Sequence, residues 1–210
     1  MKKLVLFTMA MIFVGMACTF AQDKEANSPK GKLGQADLAN NFYVSYGIGT
    51  IYYFIDNENL TANSFSGTFL LGYARSMNKV VSVGFQLSYT NIGRSGNSDY
   101  YYSSQSTYRE TMTDNLWQGI ANVRFHYVNK PSFSMYSGIG LGVTMDFYKK
   151  TINSGSIQSN EVINGQKIFP AGQMTLLGFR VGRALSFFGE FGIGTNSILN
   201  AGVSYKFGDN

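Results

Sequence analysis

Few side chains in this chain are equipped for chemistry. Among 210 residues there is one histidine, His126, and one cysteine, Cys18. A lone histidine excludes a His–His metal pair, and any Ser–His–acid relay would have to use His126. That residue shares parity with Asn122 and Arg124 close to a short turn, so a packed lumen histidine is the reading it supports. More promising are five charged residues at the polar positions of alternating stretches: Arg124, Asp146, Arg180, Glu190 and Lys206. Glu190 lies one strand from both Arg180 and Lys206. A carboxylate enclosed with cations stays ionised and paired, because leaving a buried charge alone costs several kcal/mol. Such a cluster is either a salt-bridged core, or a plug or proton-sensitive gate. Gly138, Gly140 and Gly142 resemble a nucleotide loop only superficially. The dinucleotide fingerprint requires G-x-G-x-x-G between a strand and a helix, whereas here the spacing is strictly two and no helix follows. Gly189, Gly192 and Gly194 fail the same test. No cofactor or metal site emerges.

The elements that position these residues read as strands. Phe133, Met135, Ile139, Leu141, Val143, Met145 and Phe147 share one parity, broken by Ser137. Ser134, Tyr136, Gly138, Gly140, Gly142, Thr144 and Asp146 occupy the other. Val81, Val83, Phe85, Leu87 and Tyr89 alternate in the same way with Ser82, Gly84, Gln86, Ser88 and Thr90. A period of two marks a strand whose faces meet different surroundings. Further strands fall at about 41–54, 64–75, 114–128, 169–182, 186–195 and 198–207, making eight. Short connections (76–79, 129–132, 182–186) alternate with long polar ones (56–64, 93–113, 149–167), and only the short 195–198 breaks the rule.

Composition agrees. Charged residues make up 14% and aromatics 15%, with 24 Gly and three Pro, which favours strand over helix. Residues 1–21 have the three parts of a secretory signal: Lys2 and Lys3, an apolar run Leu4–Val14, then Thr19 and Ala21 before a cut. The run is too short for a membrane helix of about 20 residues. A lipobox would carry Leu three residues before Cys18, where Gly15 stands. Cleavage after Ala21 leaves no thiol. It also leaves 15 basic against 12 acidic residues, a scattered +3 that argues against a nucleic-acid partner. Residues 22–40 read as a flexible polar lead, and 41–207 as the folded domain.

The polar parity decides which solvent meets the apolar one. A soluble barrel with a greasy interior must cover its outside with long charged residues. Here the polar set is mostly Gly, Ser, Thr, Gln and Asn, which suits a crowded lumen. The apolar set is nearly free of charge, as lipid requires. A sheet in lipid must close on itself, since unpaired edge groups have no water to bond. The expected fold is therefore all-β: a closed, antiparallel, eight-stranded up-and-down transmembrane barrel.

In this pattern the chain resembles the small eight-stranded outer-membrane barrels of Gram-negative bacteria, the OmpA/OmpX type, over residues 41–207. Its last strand, NAGVSYKF, is similar to their C-terminal insertion signal, with Asn200, Gly202, Tyr205 and Phe207 in the required places. The residues GDN after Phe207 depart from members that end on the aromatic. The resemblance implies an outer-membrane address, with membrane lipid and the barrel assembly machinery as partners. It also implies a non-enzymatic structural or surface-interaction role; a narrow channel and a lipid-modifying enzyme are the alternatives. Tyr100, Tyr101, Tyr102 and Tyr108 lie in the longest connection. They suit either an adaptable surface for an extracellular ligand or host surface, or a head-group girdle. If NAGVSYKF is an insertion signal, Phe207→Ala lowers the membrane-inserted yield in cells; an unchanged yield would reduce it to a strand.

Overall fold

A period of two forces the chain into extended segments, and their pairing then decides the architecture. The computed structural model describes residues 40–54, 61–99, 107–130, 132–154 and 160–207. In order they form β1 (Asn40–Ile48), a single helical turn α1 (Ile51–Phe54), β2 (Thr61–Ser76) and β3 (Val81–Asp99). These are followed by β4 (Thr107–Lys130), β5 (Phe133–Ser154), β6 (Asn160–Gly182), β7 (Leu185–Gly194) and β8 (Leu199–Phe207). Each strand pairs antiparallel with the next, and β1 pairs with β8 from Asn40↔Phe207 to Ile48↔Leu199. The sheet is a closed eight-stranded barrel, as the alternation predicts.

Polarity is inside out. Leu141 is 76% exposed and Phe69 59%, while Arg124 is 4% exposed and Asp114 1%. In β8 Ala201, Val203, Tyr205 and Phe207 point outward, and Asn200 and Ser204 are buried. Ser137 breaks the outward apolar series for a local reason. It sits at an irregularity where β5 and β6 shift register, and its hydroxyl donates to the Leu176 carbonyl at 2.7 Å. A bulge leaves backbone groups without ladder partners, and a hydroxyl in that place supplies one.

The structure corrects three expectations. Residues 51–54 are a helical turn, not the end of a strand, because Gly49 takes φ +74° and turns the chain. The connections expected at 93–113 and 149–167 are largely strand: β3 and β4 pair without a break from Val81↔Phe125 to Asp99↔Thr107. Likewise β5 and β6 pair up to Asn153↔Asn160. Above the apolar belt polar residues occur on both faces of these strands, interspersed with apolar ones such as Met112, Val162 and Ile163, so alternation lapses in the sequence while the hydrogen-bonded ladder continues. Tyr108 accordingly belongs to β4, while Tyr100, Tyr101 and Tyr102, residues 1–21 and nearly all of the 22–40 lead lie outside the described residues. Asn40 already opens β1.

The ring closure has a direct test. Val44 and Val203 face each other across β1 and β8, so the pair Val44→Cys/Val203→Cys forms a disulfide on oxidation that shifts the heated, unreduced band. Val44→Cys with Leu199→Cys, out of register, does not. Equal cross-linking of both pairs would refute this register.

Candidate functional site

Eight strands enclose a narrow lumen, so every inward side chain must fit against those of other strands. Tyr43 and Tyr136 are the largest fully buried side chains, and each lies opposite a glycine, Gly72 and Gly178. A Cβ on either glycine would fall within 2.5 Å of the facing ring. Between the two tyrosines runs Arg124 of β4, its guanidinium 4.6 Å from the Tyr43 ring centre and 5.3 Å from that of Tyr136. Its terminal nitrogen meets Glu190 Oε1 of β7, across the lumen, at 3.2 Å. Tyr136 donates to the same oxygen at 2.7 Å, and Asn200 Nδ2 to Oε2 at 3.2 Å.

The sequence places Glu190 beside Arg180 and Lys206 on the adjacent strands, yet its ion pair is with Arg124. With three donors on Glu190, Arg180 turns to Asn41, whose carboxamide oxygen accepts from the guanidinium. Lys206 lines the same end of the lumen. Of the residues expected to form an insertion signal, Asn200 and Gly202 face inward, and Tyr205 and Phe207 stack outside with ring centres 6.2 Å apart. His126 lies at the short-turn end, its Nε2 2.9 Å from Ser82 Oγ and its ring beside Tyr136. Its Nδ1 has no partner, so no acid orients it as a relay would require.

Two features escape sequence reading. At the opposite end Arg94 and Asp114 form a buried ion pair, and Arg94 also donates to the Tyr52 carbonyl at 2.8 Å. Asp114 has the parity of Arg124, ten residues earlier on the same strand, and that was the available signal. Asp146 is buried nearby at this end, as its parity predicts. The second feature is a plug. The connection between β7 and β8, Thr195–Ser197, folds into the lumen and is buried there. Thr50 and Gln118 donate to the Thr195 carbonyl at 2.5 and 3.0 Å. Thr68 donates to the Asn196 carbonyl at 2.6 Å, and Ser88 to the Asn196 side chain at 2.9 Å. Gln173 donates to the Ser197 carbonyl at 3.0 Å and accepts from the Asn196 amide at 3.2 Å. Gly47 makes the room, since a Cβ there would sit 2.5 Å from Ser197 Cβ. Between plug and ion pair remains a cavity of about 20 Å³, space for one water.

No protein-family model and no curated protein matches the chain. Among solved structures it is similar to Ail, the attachment invasion locus protein of Yersinia pestis, determined in complex with the heparin analogue sucrose octasulfate. The two are 11% identical with a TM-score of 0.41; the match covers 82% of this chain and 99% of that one. The eight-stranded ring stands on its own strand pairing, independently of that likeness.

The plug and the ion pair separate the two mouths of the barrel; among the described residues the geometry assembles no nucleophile–base–acid set and no cluster of metal-binding side chains. The ion pair is the point where damage registers. Glu190→Ala leaves Arg124 buried without its carboxylate and lowers unfolding stability by about 3–5 kcal/mol. Arg124→Met combined with Glu190→Gln removes both charges and costs less. Thermal loss of heat-modifiable mobility measures both; equal losses would show that the charge of Arg124 is not what Glu190 holds.

Proposed function

We propose that this chain is an outer-membrane barrel of a Gram-negative envelope, exported by a cleaved signal, whose role is surface interaction through its long-strand end. The membrane reading draws support from the outward face. An aromatic row runs from strand to strand, Tyr46–Phe69–Tyr89–Trp117, at the level where the apolar residues give way to polar ones. Such rows suit the head-group boundary. The short turns at 77–80 and 183–184 and the connection from β4 to β5 then face the periplasm, and the opposite end faces outward.

One observation carries the functional reading: β3 to β6 continue far beyond the ring. β4 has 24 residues and β1 and β8 nine each, or roughly 80 Å of strand against roughly 30 Å at about 3.3 Å per residue. A crossing needs only about 9–11 residues. The surplus forms a sheet standing above the membrane. Along residues 160–171 β6 has a strand neighbour on β5 only, because β7 pairs no further than Gln173. That edge offers backbone groups to an added strand from a protein partner. Pro170 interrupts the row of donors, as edge strands commonly do. The plug and the ion pair, with one water-sized cavity between them, weigh against the channel reading, and the unoriented His126 at the turn end weighs against a lipid-modifying enzyme.

The test combines three measurements. Leu141→Arg lowers the stability of the vesicle-inserted barrel by about 2–4 kcal/mol; no effect would place Leu141 in water. In planar bilayers the parent shows no steady conductance, whereas defined unitary steps would favour a pore. Cells carrying a variant trimmed to short turns at 97–109 and 152–162 keep a heat-modifiable barrel and lose adhesion to host cells or matrix. Undiminished adhesion would remove the surface role.

A further inference from the structure

The turn-side mouth of the barrel opens into a vestibule of about 460 Å³. Six cations line it: Lys79, Arg124, Lys130, Arg180, Arg183 and Lys206. No carboxylate occurs among the described residues around it. Lys79 and Arg183 lie in two different short turns and Lys130 ends β4 beside a third, so only barrel closure brings the three together. Glu190, the nearest acid on the strands beneath, already accepts from Arg124, Tyr136 and Asn200. Surface lysines alone would be a solvated rim. Here the wall also holds buried polar atoms with no partner: Ser134 Oγ, on a side chain 5% exposed, together with Arg180 Nε and His126 Nδ1. A hydroxyl and a guanidinium N–H left without acceptors, at the base of a concave positive field, are donors awaiting an oxyanion.

We infer that this vestibule is a binding site for a phosphate-bearing ligand. Guanidinium groups match phosphate in geometry as well as charge, because their N–H groups engage two oxygens at once. The volume exceeds a single phosphate and admits a diphosphate or a phosphorylated head group. Both sources share the same chemistry: a soluble phosphate ester of the periplasm, or the head group of an anionic inner-leaflet phospholipid. The site lies at the end opposite the projecting sheet and does not depend on what that sheet binds; only the naming of the compartment rests on the proposed orientation.

The full chain, refolded in an uncharged detergent, is titrated with sodium pyrophosphate while backbone amide shifts of Ser134, His126 and Gly182 are followed. Saturable shifts confined to the vestibule are expected. Arg180→Gln/Arg183→Gln weakens the dissociation constant at least tenfold, and Lys149→Gln at the far end changes it less than twofold. In a second arm, bicelles with phosphatidylglycerol are compared with phosphatidylcholine alone. Shifts from phosphatidylglycerol with pyrophosphate silent assign the lipid source, and the reverse assigns a soluble ester. Absence of saturable shifts in both arms, or shifts indifferent to the double variant, overturns the site. Should Arg180→Gln lose heat-modifiable folding, Lys130→Gln/Arg183→Gln, at exposed positions, carries the same test with at least a threefold loss expected.

Discussion

The closing ladder between β1 and β8 is the constraint on which the rest depends. Once Asn40 pairs with Phe207 and Ile48 with Leu199, the sheet has no free edge within the ring and its circumference is fixed at eight strands. An eight-stranded ring is only just wide enough to be filled by side chains. Every other feature answers that narrowness. Gly72 and Gly178 are small because Tyr43 and Tyr136 must lie across them. The two rings in turn leave a slot for a guanidinium, and Arg124 reaches through it from β4 to β7. Gly47 is small because Ser197 is folded against it.

A polar lumen is stable only where its groups satisfy one another. Burying Arg124 and Glu190 costs several kcal/mol per ion, which geometry and extra hydrogen bonds must offset. Tyr136 and Asn200 supply those bonds, and the faces of Tyr43 and Tyr136 add cation–π attraction. The plug follows the same rule with neutral partners. Its three residues place backbone carbonyls where hydroxyls and carboxamides from β2, β4, β6 and Thr50 can donate. These contacts span the ring, so they tie its walls together as well as closing it.

The two ends differ because the strands differ in length. At the turn end short connections join the strands, and the cations at or beside three of them collect around one mouth. At the other end β1, β7 and β8 stop early while β3 to β6 go on. A lopsided rim of this kind lets the short β7–β8 connection drop into the lumen on the low side and leaves β6 exposed above it.

The sequence by itself determined the class of fold, the eight strands and the shared parity of Arg124, Asp146, Arg180, Glu190 and Lys206. Those follow from a period of two, and the period is imposed wherever one face meets an apolar surrounding and the other a polar lumen. It failed where that contrast ends: the upper halves of β3 to β6 carry polar residues on both faces, so they read as loops, and with them Arg94 was missed. It also read the brevity of 195–198 as an exception, although a connection this short can fold inward and fill the lumen. What only the tertiary structure decided was partnership. Parity says that Glu190, Arg124, Arg180 and Lys206 all point inward, but which cation Glu190 meets depends on distance across the lumen. So does the gathering of Lys79, Lys130 and Arg183 around one mouth, since residues about fifty positions apart become neighbours only when the ring closes.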